Sequence, residues 1–154
     1  IRLHGMADRI DHENGAVVVT DYKTGSVEAR ELKLKGAWTE KLDDGKSGKA
    51  LQLLMYAAIA LETIGPNGKK RTDENAQIDH VRAGIRSGKN ATAGLLPLTI
   101  DGQTFVTRED AFKLLSWISD KLNHLHQTNE GLVHETESKY CAYCTVLDPL
   151  PEYF

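Results

Sequence analysis

The residues with the most chemistry in them are two aspartates and a lysine: Asp8, Asp21 and Lys23. Asp21-Tyr22-Lys23 closes an apolar run, Ala16-Val17-Val18-Val19-Thr20, whose β-branched residues read as a strand. Asn14-Gly15 precedes that run, and this dipeptide favours a two-residue hairpin turn because both turn positions take positive φ. Such a turn pairs Glu13 with Ala16, and counting back along the ladder predicts Asp8 opposite Asp21. Lys23, two residues on, shares the face of Asp21. Two facing carboxylates repel unless positive charge lies between them. A hard divalent cation such as Mg²⁺ or Mn²⁺ takes one or two carboxylates and completes its shell with water and substrate phosphate. The Tyr22 carbonyl could add an oxygen. An amine beside such an ion can help to activate an attacking water and can stabilise charge developing at phosphorus. The competing reading is an exposed hairpin end whose charges are merely solvated.

Several elements must position this trio. Residues 1–11 and 16–24 read as an antiparallel hairpin, with His4, Met6, Ile10 and His12 on the Asp8 face and Leu3, Ala7 and Arg9 on the other. The second strand is apolar on both faces and should be central in its sheet. The polar stretch from Ser26 to Lys49, rich in lysine, is expected to hold a short hairpin or a mobile flap. Ala50 to Ile64 reads as a helix stopped by Gly65-Pro66, apolar nearly all round and therefore buried. Gln52 and Tyr56 are its polar exceptions, one turn apart on one face. Taken singly, each is explained as a capping amide or a half-exposed core aromatic; beside the hairpin acids they join the candidate site.

Ile78–Arg86 and Leu95–Ile100 alternate as strands, and Asp101-Gly102 predicts a turn into Thr104–Val106. Thr107 as N-cap with Asp110 reaching back opens a long helix to about Gln127. Its expected buried stripe is Phe112, Leu115, Ile118, Leu122 and Leu125. Residues 131–154 form an irregular tail with Cys141-Ala142-Tyr143-Cys144. This order predicts an α/β (α+β) fold with a mixed sheet flanked by helices.

The chain has 154 residues with 40% hydrophobic and 27% charged side chains, which reads as one globular domain. A net charge of −3 excludes a global basic field, so any nucleic-acid binding must use a local patch. No apolar run is long enough to cross a membrane, and no signal peptide is visible. Two cysteines three apart suggest a reducing, cytoplasmic setting rather than a disulfide framework. Beginning at Ile1, directly in a strand pattern, the sequence reads as a fragment of a longer protein.

Gly5-x-x-Asp8-Arg9-Ile10-Asp11, then Asp21-Tyr22-Lys23-Thr24-Gly25, then Gln52-x-x-x-Tyr56 resembles the RecB/AddB-type branch of the PD-(D/E)XK nuclease superfamily. The three motifs occur in that family's order; the likeness is strongest over residues 3–60 and weaker through Val81–Leu98 and the tail. The resemblance implies a restriction-endonuclease-like core over residues 1–154, with an N-terminal helix missing from the fragment. It implies that Asp8 and Asp21 bind Mg²⁺ or Mn²⁺, helped by Tyr22, that Lys23 is catalytic, and that Gln52 and Tyr56 line the active site. The activity implied is metal-dependent deoxyribonuclease, as exonuclease, within a DNA repair or recombination system alongside a helicase domain or subunit. DNA would meet Arg9 and the patch of Lys33 and Lys35, with Trp38 stacking on a base. Some relatives carry an iron–sulfur cluster on four cysteines; here Cys141 and Cys144 match two, Leu150 occupies a third position, and the site is incomplete.

Two readings from other classes compete. One is a nuclease-shaped module that binds DNA or a partner without cutting. The other is a zinc-stabilised interaction domain using Cys141 and Cys144 with His124, His126 or His134. A phosphate loop at Gly84–Asn90 is one residue short and lacks the Ser/Thr that would hold Mg²⁺.

Overall fold

Asn14 and Gly15 both have positive φ, 51° and 79°, and Glu13 pairs with Ala16 across them. The turn is therefore the one the dipeptide demands. In the computed structural model, which describes residues 4–43, 45–73 and 77–128, the elements follow in this order. They are β1 (Arg9–Glu13), β2 (Ala16–Lys23), a 3-10 turn at Ala29–Leu32, β3 (Lys33–Leu34), α1 (Trp38–Lys41) and α2 (Gly48–Thr63). After them come β4 (His80–Ser87), a 3-10 turn at Ala91–Ala93, β5 (Leu95–Pro97), β6 (Thr99–Ile100), β7 (Val106–Thr107) and α3 (Arg108–Gln127). The chain divides into two units, residues 1–121 and 122–154. The second is described only through residue 128, so the expectations for Cys141, Cys144, His134 and the 131–154 tail fall outside the described residues, as do those for Ile1 and Leu3.

The first unit is built on a five-stranded mixed sheet in the order β1-β2-β4-β5, with β7 also paired to β4. Strand β2 runs parallel to β4, and the other pairs are antiparallel. A parallel pair needs a long crossover, and α2 supplies it. Val17 and Val19 share one face of β2 with their β4 neighbours Val81 and Ala83. Leu53, Leu54, Ala57 and Leu61 of α2 bury against that face. The mixed sheet flanked by helices is as expected, and β2 is central.

Four expectations need correction. Among the described residues the first strand starts at Arg9, leaves out residues 4–8, and runs on to Glu13. Residues 4–8 leave the sheet because Gly5 lies against α2: a Cβ there would stand 3.0 Å from Ile59 Cδ1 and 3.2 Å from the Tyr56 ring.

The Ser26–Lys49 stretch is no flap. It carries Val27, Leu32, Leu34, Trp38 and Leu42 into the core, and Lys33–Leu34 pairs in parallel with Thr99–Ile100. Trp38 is only 3% exposed, so it is a core residue and not a platform for a base. Trp38→Ala is expected to destabilise the fold by about 3–5 kcal/mol through the cavity it leaves, read by urea unfolding.

The Leu95–Ile100 strand breaks at Leu98, which is buried and donates its N–H to Ala83 O at 2.8 Å. Asp101-Gly102 does turn, as expected, with φ of 50° and 83°, and the chain then pairs with β4 at Val106–Thr107. Gly84 is where β5 crosses: a Cβ would sit 2.7 Å from Leu96 O.

The cap of α3 is as expected, with Thr107 N–H donating to Asp110 Oδ2 and Asp110 N–H to Thr107 Oγ1. Its buried line is different. Ala111 and Leu114 face the core with Trp117 and Ile118 beside them, while Phe112, Leu115 and Leu125 are exposed. Trp117 Nε1 donates to Asp43 and Lys121 pairs with the same carboxylate. These polar contacts accompany a helix rotation that buries Leu114 rather than Leu115.

Candidate active site

Asp21 lies near the C-terminal end of β2, where the run of valines has already committed the strand to the interior. Its alternation puts Asp21 on the α2 face, after Val17 and Val19, and leaves it 4% exposed. A carboxylate this buried needs partners. Lys23 Nζ stands 2.9 Å from Asp21 Oδ2, on the same strand face. The approach is off the hydrogen-bonding direction, so Oδ2 has an ion pair but accepts no directed hydrogen bond.

Gln52 completes the arrangement from the helix. Its Oε1 accepts from Lys23 Nζ at 3.0 Å, and its Nε2 donates to Asp21 Oδ1 at 3.2 Å and to Tyr56 OH at 2.7 Å. The amide has only one sensible orientation, since a flip would set an N–H₂ against the ammonium. Tyr56 is one turn along α2, as the spacing requires. One turn the other way, Lys49 pairs with Glu31 and ties the start of α2 to the Ala29–Leu32 turn. That lysine, and then the Glu28 N–H, hold the Glu31 carboxyl below its usual range.

Asp8 sits one residue ahead of the β1 ladder, whose first pair is Arg9 with Thr20. Its Oδ2 accepts the Tyr22 N–H at 2.8 Å. That nitrogen belongs to the peptide joining Asp21 to Tyr22, so Asp8 reaches the same peptide whose α-carbon carries the Asp21 side chain. The structure thus brings together Asp8, Asp21, the Tyr22 backbone, Lys23, Gln52 and Tyr56. It does not bring Arg9 there. Arg9 pairs with Thr20 on the other sheet face and its guanidinium is bound to Asp11 at 2.7 Å. Lys33 and Lys35 are exposed, and among the described residues no hydrogen bond or ion pair joins them to the acids.

Sequence reasoning missed the residues that fix the strand end. Ser87 lies beside Lys23 in the parallel register; its Oγ donates to Gly25 O at 2.7 Å, and Gly88 N–H donates to Lys23 O at 2.8 Å. Asn90 Nδ2 donates to Val27 O at 2.9 Å. The Ser-Gly-x-Asn string was visible as a failed phosphate loop, but its use as a brace needs the β2–β4 register, which no local pattern supplies.

The donor set can be set against the two metal chemistries. Zinc sites take three or four nitrogen, sulfur or carboxylate ligands, and among the described residues no group of three such side chains could hold a metal. Mg²⁺ and Mn²⁺ instead suit two carboxylates and a half-open shell. The under-bonded Asp21 Oδ2, flanked by Asp8 at the next peptide, fits that class of ion.

A family model for the PD-(D/E)XK nuclease superfamily matches residues 1–148. No curated protein and no solved structure matches the chain. No described helix is long and apolar enough to cross a membrane. The nucleases of the matched superfamily generally use divalent metal ions such as Mg²⁺, the class that this donor set fits. With an acid–acid–lysine arrangement beside a Gln-x-x-x-Tyr helix on a mixed sheet, and a family match over nearly its whole length, the chain belongs to the PD-(D/E)XK nuclease superfamily.

Proposed function

We propose that the chain is a Mg²⁺- or Mn²⁺-dependent deoxyribonuclease of RecB/AddB type, an exonuclease module working with a helicase domain or subunit in cytoplasmic DNA repair or recombination. The observation that carries the catalytic part is the Asp21–Lys23 ion pair with Gln52 bonded to both of its members, and Asp8 on the N–H of the peptide that follows Asp21. The subtype, the exonuclease role and the helicase partner rest on the ordered motifs alone.

In this reading Asp8 and Asp21 hold the ion, with the Tyr22 carbonyl as a further oxygen. When bound, that ion supplies Lewis acidity to a phosphate oxygen and lowers the cost of forming a nucleophile from water. Gln52 keeps Asp21 Oδ1 turned inward, which leaves Oδ2 for the ion. It also holds Lys23 Nζ near the site. An ammonium has three N–H donors; one goes to Gln52 Oε1, which leaves donors open to a phosphate oxygen as charge builds there. Tyr56 OH accepts from Gln52 and sets the tilt of the amide.

Gln52→Leu, nearly isosteric but without hydrogen bonds, is expected to lower the cleavage rate about 10- to 100-fold, as outer partners of a metal site do when lost. Steady-state cleavage with circular dichroism to check folding reads this out. The direct test of the function is incubation of the purified chain with end-labelled linear DNA and Mg²⁺ or Mn²⁺. Metal-dependent loss of label supports the reading. Retention on DNA without any cleavage, at any ion concentration, supports a non-cutting binding module instead.

A further inference from the structure

We infer that Gly5 is a positioning residue for the cation site, its bare backbone holding the segment that carries Asp8 against Tyr56. The inference rests on the metal-dependent reading above and adds to it a residue with no functional atom of its own.

Gly5 is not among the glycines with positive φ, so the backbone conformation does not require it. The requirement is space. A Cβ at this position would stand 3.0 Å from Ile59 Cδ1 and 3.2 Å from both Cδ1 and Cε1 of Tyr56. Carbon atoms at optimal contact are about 3.5–4.0 Å apart, so something must give. Tyr56 cannot recede freely, because its hydroxyl accepts from Gln52 Nε2 at 2.7 Å, and Gln52 in turn spans Asp21 and Lys23. If the ring moves, the amide that orients the ion pair moves with it.

The alternative is for the backbone to lift off α2. Residues 4–8 are pinned at their far end by Asp8 Oδ2 accepting the Tyr22 N–H, and Ala7 packs against the core between. Three residues from Gly5, Asp8 has little slack. Ile59 Cδ1, the free end of its side chain, can swing aside, but the two remaining ways of relieving the contact, through the Tyr56 ring or the backbone, end at the metal site. Gly5, Ala7 and Ile10 also line, with Tyr56 and Ile59, the shallow cleft between this segment and α2; a side chain at Gly5 would enter it.

The test is a titration of the whole chain with Mn²⁺ alone, free ion counted by electron paramagnetic resonance, with metal-free thermal unfolding alongside. Gly5→Ala should bind Mn²⁺ about tenfold more weakly than the parent. Ile59→Val, which removes the nearest atom and touches no site residue, should bind as the parent does. The double variant Gly5→Ala/Ile59→Val keeps the Tyr56 contact but loses the closer one, so its affinity should lie between the two. It also keeps the question decidable if Gly5→Ala alone does not fold. Parent-level affinity in every folded Gly5→Ala protein overturns the inference, even if melting temperature falls, because Gly5 would then be a packing residue only. If the parent binds no Mn²⁺, or binds it equally well after Asp21→Asn, the cation site itself is wrong and the inference falls with it.

Discussion

Asp21→Asn removes cleavage to the limit of detection, on the order of 10³-fold or more, while the fold survives. The magnitude follows from what the carboxylate holds in place. Charge stabilisation by a bound ion is worth several kcal/mol, and each 1.36 kcal/mol is tenfold in rate. The substitution keeps the volume and keeps an oxygen for Gln52 Nε2, which now bonds Oδ1 at 3.2 Å. It removes the negative charge that faces Lys23 at 2.9 Å. The lysine side chain is 32% exposed and can turn to water, so the stability loss stays near about 1–2 kcal/mol. The variant should therefore melt as one cooperative unit, bind Mn²⁺ far more weakly, and fail to cut. A folded Asp21→Asn that retains parent-level Mn²⁺ binding would count against Asp21 as a ligand.

Lys23→Ala separates the second role from the first. Cleavage is expected to fall about 10²–10³-fold, the usual cost of removing one preorganised donor aimed at developing charge. Mn²⁺ binding should hold or tighten, because the ammonium that now occupies Asp21 Oδ2 is a competitor for the ion. Lys23→Met, which keeps most of the apolar stem, should behave the same way and excludes a packing explanation. The two variants therefore part in metal affinity, lost in Asp21→Asn and kept or raised in Lys23→Ala, while both lose activity. If Lys23→Ala cut DNA at the parent rate, the catalytic assignment of this lysine would be wrong. If it lost Mn²⁺ binding together with activity, Lys23 would be a structural support for the acids.

The local signals and the long-range ones divide the sequence reading sharply. The hairpin was legible because Asn14-Gly15 fixes its own turn geometry, and the register follows from it by counting. The helix carrying Gln52 and Tyr56 was legible because its residues are good formers bounded by Gly65-Pro66. That Gln52 would reach both Asp21 and Lys23 was not, since it depends on how α2 crosses β2 and β4. The Ser26–Lys49 stretch misled because its apolar residues are spaced irregularly, at Val27, Leu32, Leu34, Trp38 and Leu42, with lysines between them. Neither helical nor strand periodicity registers them, although each finds the core. Nothing in the local pattern marks Trp38 as a core residue for the same reason. On α3 the apolar count favoured the Leu115 line. The Leu114 line is the one that meets the core, with Ala111, Trp117 and Ile118, and that depends on tertiary packing.

A crystal soaked in Mn²⁺ gives the most direct trial of the shared cation site, with the anomalous signal locating the ion independently of any assay. One peak is expected within about 2–2.3 Å of a carboxylate oxygen from both Asp8 and Asp21, with the Lys23 ammonium displaced from Oδ2 but still on Gln52. A peak bound by only one of these acids, or by neither, would contradict it.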